Sequence, residues 1–94
     1  MSYDLKFKDD ALKEWRKLDG SIREMLKIKL LERLKEPRIE SARLSNMSDC
    51  YKIKLRGSGY RLVYQVRDNE LVVVVIAVGK RDKNLVYKLA LRRQ

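Results

Sequence analysis

Hydrophobic and polar residues alternate with two different periods along the chain, and this change of period predicts the order of its elements. Residues 2–8 (SYDLKFK) place a large apolar side chain at every second position, which is the period of a half-buried strand. Residues 11–18 (ALKEWRKL) place leucine or tryptophan at three-residue spacing after Asp9 and Asp10, either of which can cap a short helix. A strand followed by a helix is therefore expected first.

A second, longer helix is predicted after the break at Asp19 and Gly20. Ser21 and Glu24 have the spacing of a capping box, and Pro37 ends the helix because the residue before a proline disfavours the helical conformation. The apolar residues of this helix are expected to form its inner face: Ile22, Met25, Leu26, Leu30 and Leu34. The polar and basic residues are expected to form its outer face: Arg23, Lys27, Lys29 and Arg33.

The second half of the chain has the pattern of an antiparallel sheet. After an irregular stretch anchored by Leu44 and Met47, strands are expected near residues 50–56, 60–66 and 70–78. Glycines in the turn RGSG, Gly57 and Gly59, supply the positive φ that tight turns need. The segment LVVVVIAV is apolar on both faces, so it belongs in the middle of the sheet and should end at Gly79.

A last short helix is expected after a cap at Asp82. The predicted order is β-α-α-β-β-β-α, an α+β fold with two layers in which a helical hairpin covers one face of a mainly antiparallel sheet. The 94 residues are expected to form one domain.

Positive charge is concentrated in the second half of the chain. The net charge is +10, and residues 50–94 carry 11 Lys and Arg against 3 Asp and Glu, whereas residues 1–49 carry 12 against 10. Unbalanced positive charge of this kind is the footprint of a polyanion site, although a basic surface can also serve only solubility. The asymmetry favours a nucleic-acid partner.

The cations converge on one predicted surface of the sheet. Lys52, Lys54 and Arg56 alternate with apolar residues along one strand, and Arg61 opens the next strand. With the apolar residues turned towards the helices, these cations are expected on an uncovered face. Three further residues can reach the rim of this face: Lys80, Arg81 and Tyr87.

The residue types that are missing restrict the chemistry. The chain has no histidine and one cysteine, so a zinc site is not available and Cys50 lacks the usual imidazole base of a cysteine nucleophile. The few carboxylates of the basic half argue against a two-metal nuclease, and no GxxxxGK[ST] segment occurs. No cofactor is therefore expected. The chain has no apolar run of the roughly 18 residues that a membrane span needs and no apolar signal segment, so a cytoplasmic protein without a membrane partner is expected.

RNA cleavage is compatible with this inventory because RNA carries its own nucleophile, the 2′-hydroxyl. A base must take the hydroxyl proton, and cations must stabilise the charge that develops on the phosphate. Lys52, Lys54 and Tyr87 are each candidates for the base. Their ordinary alternatives are lysines that protect a strand edge and a tyrosine that packs on the sheet.

Five segments resemble the RelE toxins of bacterial RelBE toxin–antitoxin modules. They are ALKEWRKL (11–18), PRIE (37–40), DCYKIKLR (49–56), GYRLVYQV (59–66) and VGKR (78–81). The resemblance implies a ribosome-dependent endoribonuclease that cuts messenger RNA in the ribosomal A site. It also implies products with a 2′,3′-cyclic phosphate and a 5′-hydroxyl.

The same resemblance implies a role for each of five residues. Lys52 and Lys54 correspond to the residues proposed to act as base and to stabilise the transition state, and Arg61 corresponds to a phosphate ligand. Arg81 is similar to the proposed general acid or leaving-group stabiliser. Tyr87 corresponds to the residue that stacks on the nucleotide, activates the 2′-hydroxyl, or does both.

The resemblance further implies the antitoxin RelB as partner, together with the small ribosomal subunit, its ribosomal RNA, and messenger RNA. Antitoxin binding is expected to displace the last helix, and the complex is expected to repress its own operon with operator DNA contacted through the antitoxin. Candidate contacts to RNA backbone are Lys27, Lys29, Arg33, Arg56 and Lys80.

Two other functions share parts of this pattern. A toxin of the related ParE type would poison DNA gyrase, and the full set of two lysines, two arginines and a tyrosine counts against it. An RNA-binding module without chemistry would expose aromatic residues on the open strand face. Here Tyr51, Tyr60 and Tyr64 are expected to point inward.

Overall fold

A computed structural model describes residues 2–80 and 84–94, and in them strands and helices follow the predicted order. The elements are β1 (Asp4–Phe7), α1 (Asp9–Arg16), α2 (Gly20–Lys35), a short 3-10 turn (Glu40–Ala42), β2 (Cys50–Lys54), β3 (Tyr60–Arg67), β4 (Val72–Lys80) and α3 (Leu85–Arg93). The α+β class and the order β-α-α-β-β-β-α are confirmed.

Strand β4 lies inside the sheet, as its apolar sequence predicted. The four strands have the order β1-β4-β3-β2, in which β1 is parallel to β4 and the other pairs are antiparallel. Pairing with β1 ends where Phe7 lies opposite Val75, whereas pairing with β3 continues until Lys80 lies opposite Tyr60. The expected end of the strand at Gly79 is therefore wrong, because this pairing carries β4 one residue further.

The main core lies between the sheet and the helices α1 and α2. The apolar residues of the β2–β3 hairpin face this core, as expected: Tyr51, Ile53, Leu55, Leu62 and Tyr64. Ala11 and Leu18 contribute from the first helical segment, and Leu26 and Leu30 contribute from α2. Because alternate residues of a strand point to opposite faces, Lys52, Lys54 and Arg61 lie on the other side of the sheet.

That other side is not open, because α3 packs on it. Between Val63 and Tyr64 the register shifts, so that Val63 lies opposite Ala77 and Tyr64 opposite Val75, with Ile76 as an extra residue. This bulge turns both Ile76 and Ala77 towards α3. They form a second small core with five other buried residues: Met47, Cys50, Val63, Val86 and Ala90. The expectation of an uncovered face is therefore wrong for this part of the sheet.

The helix ends differ from the predicted caps. Helix α2 begins at Gly20 after Asp19, and the Ser21 hydroxyl donates to the Asp19 carboxylate instead of forming a capping box. Lys8 precedes α1, so Asp9 and Asp10 lie in its first turn. Their negative charges there interact favourably with the helix dipole. The predicted cap Asp82 lies outside the described residues, and Asn84 precedes α3.

The faces of α2 also differ from the pattern in two places. Met25 was expected inside, but it is 45% exposed, and Ile28 and Leu31 follow it on the same outer stripe. Arg33 was expected outside, but its Nη1 atom donates to the Tyr64 hydroxyl at 2.8 Å and to the Lys52 carbonyl at 3.1 Å. Arg33 lies three residues after Leu30, on the same helix face, which brings its long side chain to the sheet.

Tyr64 therefore joins α2 to the hairpin through a buried hydroxyl. The side chain is 0% exposed, and its hydroxyl donates to the Pro37 carbonyl at 2.6 Å while it accepts from Arg33. Burial raises the pKa of this hydroxyl, so it stays protonated and able to donate. The hydroxyl oxygen of Tyr64 thus ties the C-terminal end of α2 to the β2–β3 hairpin.

Arg38, in the PRIE segment, ties three further segments together. Its Nη1 atom lies 3.1 Å from Asp49 and its Nη2 atom 2.6 Å from Asp68, which also accepts from the Tyr3 hydroxyl. Nη1 also donates to the Tyr51 hydroxyl at 3.1 Å. These contacts connect the start of β1, the approach to β2 and the β3–β4 turn.

Replacing Tyr64 by phenylalanine should lower the free energy of unfolding by about 1–3 kcal/mol, because the Pro37 carbonyl and the Arg33 guanidinium each lose a buried partner. Urea unfolding followed by the fluorescence of Trp15 measures this loss. The control is Tyr60→Phe, which removes a hydroxyl from a half-buried tyrosine of the same strand. Equal losses in the two variants would contradict the role of the Tyr64 hydroxyl.

Candidate active site

The strand cations form a row that ends beneath α3. Lys54 lies directly opposite Arg61 on β3, and Arg61 lies opposite Gly79 on β4. Lys52 lies two residues before Lys54 on the same face, about 7 Å away along the strand. Like charges placed opposite each other destabilise a sheet, so this row indicates a surface that binds an anion.

Arg61 carries the most informative atom of the row. Its side chain is half-buried, and its Nε atom is shielded from solvent without a hydrogen-bond partner among the described residues. A buried N–H without an acceptor costs about 1–3 kcal/mol. The Cζ atom of the same guanidinium lies 6.0 Å from the ring centroid of Tyr87 on α3. Arg61 is thus held beneath an aromatic ring, with its Nε atom buried and without an acceptor among the described residues.

Each of the two residues in this contact lines a groove. The first, of about 380 Å³, lies at the end of the hairpin and is lined by Lys54, Leu55, Arg56, Gly57, Gly59 and Arg61. The second, of about 370 Å³, runs beside α3 and is lined by Leu44, Asn46, Asn84, Tyr87, Lys88 and Leu91. Arg61 lines one groove and Tyr87 lines the other, so their contact joins a basic groove to a mixed one. None of these twelve lining residues is acidic.

The backbone explains why Tyr87 reaches this position. Gly79 lies opposite Arg61 on the face that α3 covers, and a Cβ atom placed at Gly79 would lie 3.4 Å from the Val86 side chain. This distance is an ordinary van der Waals contact, so Val86 packs directly over the main chain of β4. Tyr87 follows Val86 in α3 and is thereby placed near Arg61.

The structure brings together four of the five residues expected to be catalytic. It places several of the expected RNA-binding residues away from them. Lys52, Lys54, Arg61 and Tyr87 share the α3 side of the sheet, whereas Arg81 lies outside the described residues. Lys80 lies opposite Tyr60, which packs against the main core, so Lys80 is on the other face from the cationic row.

The expected RNA-binding residues are likewise dispersed. Arg56 is exposed at the hairpin end, beside the first groove, while Lys27 and Lys29 are exposed on α2, on the helix side of the sheet. Arg33 is held by Tyr64 and the β2 backbone, as described above. A second contact region on α2 would therefore have to bind a large partner, because it lies across the sheet from the grooves.

The sequence pattern missed the polar residues beside Tyr87. Asn46, Asn84 and Lys88 line the second groove, and they come from the irregular segment and from the start of α3. Only the position of Lys88 next to Tyr87 could have indicated such a role. Cys50, in contrast, is a packing residue as expected, since it is fully buried and burial raises the pKa of its thiol to about 11.

Within residues 2–80 and 84–94, no group of three or more histidine, cysteine, aspartate or glutamate side chains is arranged to hold a metal ion. None of the helices described is long and apolar enough to cross a bilayer.

Comparison with known proteins gives first a class of toxin. The sequence model of the ParE toxin of the type II toxin–antitoxin system parDE matches residues 5–85. The chain belongs to this family of type II toxins.

Within the family, this chain is similar to RelE itself. It is 60% identical over 93 residues to the mRNA interferase toxin RelE of Escherichia coli K12. The aligned residues cover 99% of this chain and 98% of the relative. The structure of E. coli RelE in the free state, in a variant with two arginines replaced by alanine, has a TM-score of 0.92 at 59% identity and covers 99% and 98% of the two chains. The toxin in the E. coli RelBE complex has a TM-score of 0.84 at 62% identity over 86% of this chain and 99% of that one. The predicted resemblance to RelE is confirmed.

The cationic row should make the fold more stable in the presence of small anions. Sulfate or phosphate should raise the melting temperature more than chloride at equal ionic strength, because these ions bind the folded site but not the dispersed charges of the unfolded chain. The double replacement of Lys52 and Lys54 by glutamine should remove much of this gain, and thermal unfolding against sulfate concentration measures it.

The matched control is the double replacement of Lys27 and Lys29 by glutamine, which removes the same charge from the exposed face of α2. This control should keep the sulfate gain of the unmodified protein. Equal gains in both double variants would show that the strand lysines form no anion site.

Proposed function

We propose that this protein is the toxin of a type II toxin–antitoxin system, and that it is an endoribonuclease that cleaves messenger RNA in the ribosomal A site. The observation that carries the proposal is the Arg61–Tyr87 contact. It places a half-buried guanidinium, whose Nε atom has no acceptor among the described residues, between a lysine-lined groove and an aromatic ring. The name of the E. coli relative, mRNA interferase toxin, supports the same activity.

The reaction follows from the groups around this contact. The 2′-oxygen attacks the adjacent phosphorus while its proton passes to a base, for which Lys52, Lys54 and Tyr87 are the candidates. The P–O5′ bond breaks as the O2′–P bond forms, which leaves a 2′,3′-cyclic phosphate and a 5′-hydroxyl. Arg61 donates to the non-bridging oxygens as negative charge develops on them. Arg81 is proposed to protonate or stabilise the departing 5′-oxygen.

The proposed nucleotide position uses both grooves. A phosphate at Arg61 would place one neighbouring nucleotide against the ring of Tyr87 and the other along Lys54 and Arg56. Stacking of a base on an aromatic ring contributes about 1–3 kcal/mol and tolerates any sequence. Such binding would orient the 2′-hydroxyl without a base-specific contact.

Ribosome dependence is proposed from the dispersion of the remaining cations. Exposed Lys27 and Lys29 on α2 and Arg56 at the hairpin end suit contacts with ribosomal RNA backbone on two sides of the protein. Arg33 is withdrawn from this set because its guanidinium is already bonded to Tyr64 and Lys52. Lys80 is kept as a peripheral contact only.

The antitoxin RelB is the proposed protein partner, as in the E. coli RelBE complex. Repression of the operon is assigned to the toxin–antitoxin complex, with operator DNA contacted through the antitoxin. The site of action is the cytoplasm, where ribosomes and messenger RNA are found. These assignments all depend on the same two partners, the antitoxin and the ribosome.

The ParE name of the matching family makes gyrase poisoning the second candidate function. The Lys54–Arg61–Tyr87 arrangement favours the nuclease, because a protein that poisons gyrase through protein contacts does not need a phosphate site under an aromatic ring. A non-catalytic RNA-binding module is disfavoured because Tyr51 and Tyr64 are buried against the helices and offer no stacking platform.

Primer extension on a translated messenger RNA, with and without this protein, tests the proposal. Tyr87→Phe and Arg81→Ala should each lower the single-turnover cleavage rate by about 10²–10⁴-fold, the usual contribution of a general acid or base, while ribosome affinity stays close to that of the unmodified protein. Tyr60→Phe serves as control for loss of a tyrosine hydroxyl. A collapse of affinity at an unchanged rate would make these residues binding contacts.

Cleavage should also persist in excess chelator, because the chain has no histidine and the catalytic set contains only lysine, arginine and tyrosine. Polyamines must keep the ribosomes intact during this measurement, and sucrose-gradient profiles verify that they do. Strict recovery of cleavage by one divalent ion, with intact ribosomes throughout, would overturn the metal-free mechanism.

A further inference from the structure

The C-terminal end of α3 is fastened to α1 by a paired set of charged hydrogen bonds. Arg93 Nη1 lies 2.9 Å from Glu14 Oε1 and Arg93 Nη2 lies 3.0 Å from Glu14 Oε2, so the guanidinium and the carboxylate meet side by side. The arginine side chain is 17% exposed and the glutamate 26% exposed. Paired contacts of this geometry are among the stronger ones in proteins. Asp10 lies further out, with its Oδ2 atom 3.9 Å from Arg93 Nε.

The same two side chains also complete the edge of the central strand. Past Val75, β1 no longer pairs with β4, so the backbone groups on that edge have no strand partner in the described sheet. Glu14 Oε1 accepts from the Val78 N–H at 3.2 Å, and Arg93 Nη1 donates to the Ile76 carbonyl at 2.9 Å. We call these four groups, Glu14, Arg93, Ile76 and Val78, the edge clasp. It reaches around the sheet, because α1 and α3 lie on opposite faces.

Apart from the edge clasp, a small apolar contact holds α3 to the sheet. Val86 and Ala90 are its fully buried residues, Tyr87 and Leu89 pack against the same core but stay partly exposed, and Leu85 and Leu91 are 50% and 47% exposed. The two fully buried side chains are small and bury little apolar area. The edge clasp therefore adds substantially to the contacts that keep α3 closed, and α3 carries Tyr87.

We propose that Glu14 and Arg93 are positioning residues that hold α3 closed on the sheet and thereby keep Tyr87 over Arg61. The pair touches neither groove, so it acts through the helix and not on the substrate. The catalytic consequence of this role rests on the proposed ribonuclease function. The closing of α3 itself can be tested without measuring RNA cleavage.

The chain contains a natural reporter of this closure. Cys50 is its one cysteine, is 0% exposed, and lies in the small core beneath Val86 and Ala90. Its Sγ atom lies 3.6 Å from Gln94 Oε1, directly after α3. A thiol reagent can reach Cys50 when α3 lifts from the sheet, so the labelling rate measures how often the helix opens.

The test compares Arg93→Ala with Arg92→Ala, which removes the same charge from an exposed position of the same helix. A disulfide exchange reagent such as dithionitrobenzoate labels Cys50 in native buffer, and urea unfolding followed by Trp15 fluorescence gives the global unfolding constant. Arg93→Ala should label on the order of tenfold or more faster than Arg92→Ala, and by more than its global unfolding constant rises. Arg93→Lys, which keeps the charge but not the paired geometry, should lie between the two.

Three results would overturn the role of the edge clasp. These are equal labelling of Arg93→Ala and Arg92→Ala, acceleration only in proportion to global unfolding, and Glu14→Gln labelling at the rate of the unmodified protein. If Arg93→Ala does not fold, Arg93→Lys and Glu14→Gln carry the same comparison with Arg92→Ala. None of these measurements needs ribosomes or RNA.

The catalytic consequence is measured separately. At saturating ribosomes, Arg93→Ala should lower the single-turnover cleavage rate, whereas ribosome affinity should stay the same and Arg92→Ala should change neither value. An unchanged rate in Arg93→Ala, with accelerated labelling, would show that α3 opens without moving Tyr87 and would overturn the positioning role. Failure of the unmodified protein to cleave RNA would refute the proposed function. The labelling comparison would still show whether the edge clasp holds α3 closed.

Discussion

The burial of β4 from both sides is the constraint on which the rest of this structure depends. Its residues from Val72 to Val78 are each at most 4% exposed, and the strand contacts β1, β3, α1 and α3. The bulge at Ile76 lets one strand serve two cores, because it turns two successive residues to the α3 side. Both the helical layer and α3 therefore use this strand as a packing surface.

The same strand explains how a repulsive row of cations is tolerated. Lys54 and Arg61 lie opposite each other at an open end of the hairpin, while the apolar pairs further along β3 and β4 hold the sheet together. The stable centre thus supports an unfavourable arrangement at the rim. Arg61, whose shielded Nε atom has no acceptor within residues 2–80 and 84–94, is the residue where this cost is concentrated.

The strands and their inward faces were predictable because they depend on a period of two and on local turn residues. Tyr51, Ile53 and Leu62 follow directly from that alternation, as does the cationic row beside them. The hydroxyl of Tyr64 could not be predicted to turn Arg33 inward, since that contact joins residues 31 positions apart. Met25 was misassigned because α2 has apolar residues on more than one face. Tertiary packing against the sheet determines which of these faces is buried.

The candidate site was predictable as a set of residue types and not as a geometry. Lys52, Lys54, Arg61 and Tyr87 were identified from the sequence, yet the cover provided by α3 and the contact between Arg61 and Tyr87 depend on tertiary packing. The Glu14–Arg93 pair joins residues 79 positions apart, so the local sequence around Glu14 or around Arg93 could not have predicted it. Charged residues at helical spacing look the same whether they face solvent or a strand edge.

The parallel pairing of β1 with β4 has a consequence for how this protein is made. Residues 4–7 pair with residues 72–75, so the first strand synthesised waits for one of the last before it acquires its neighbour. Contacts so distant along the chain form late, because closing a long loop costs entropy before any contact offsets it. The helical hairpin therefore lacks the central part of its packing surface until β4 has been synthesised. The candidate site is likewise incomplete until α3, which carries Tyr87, has been synthesised.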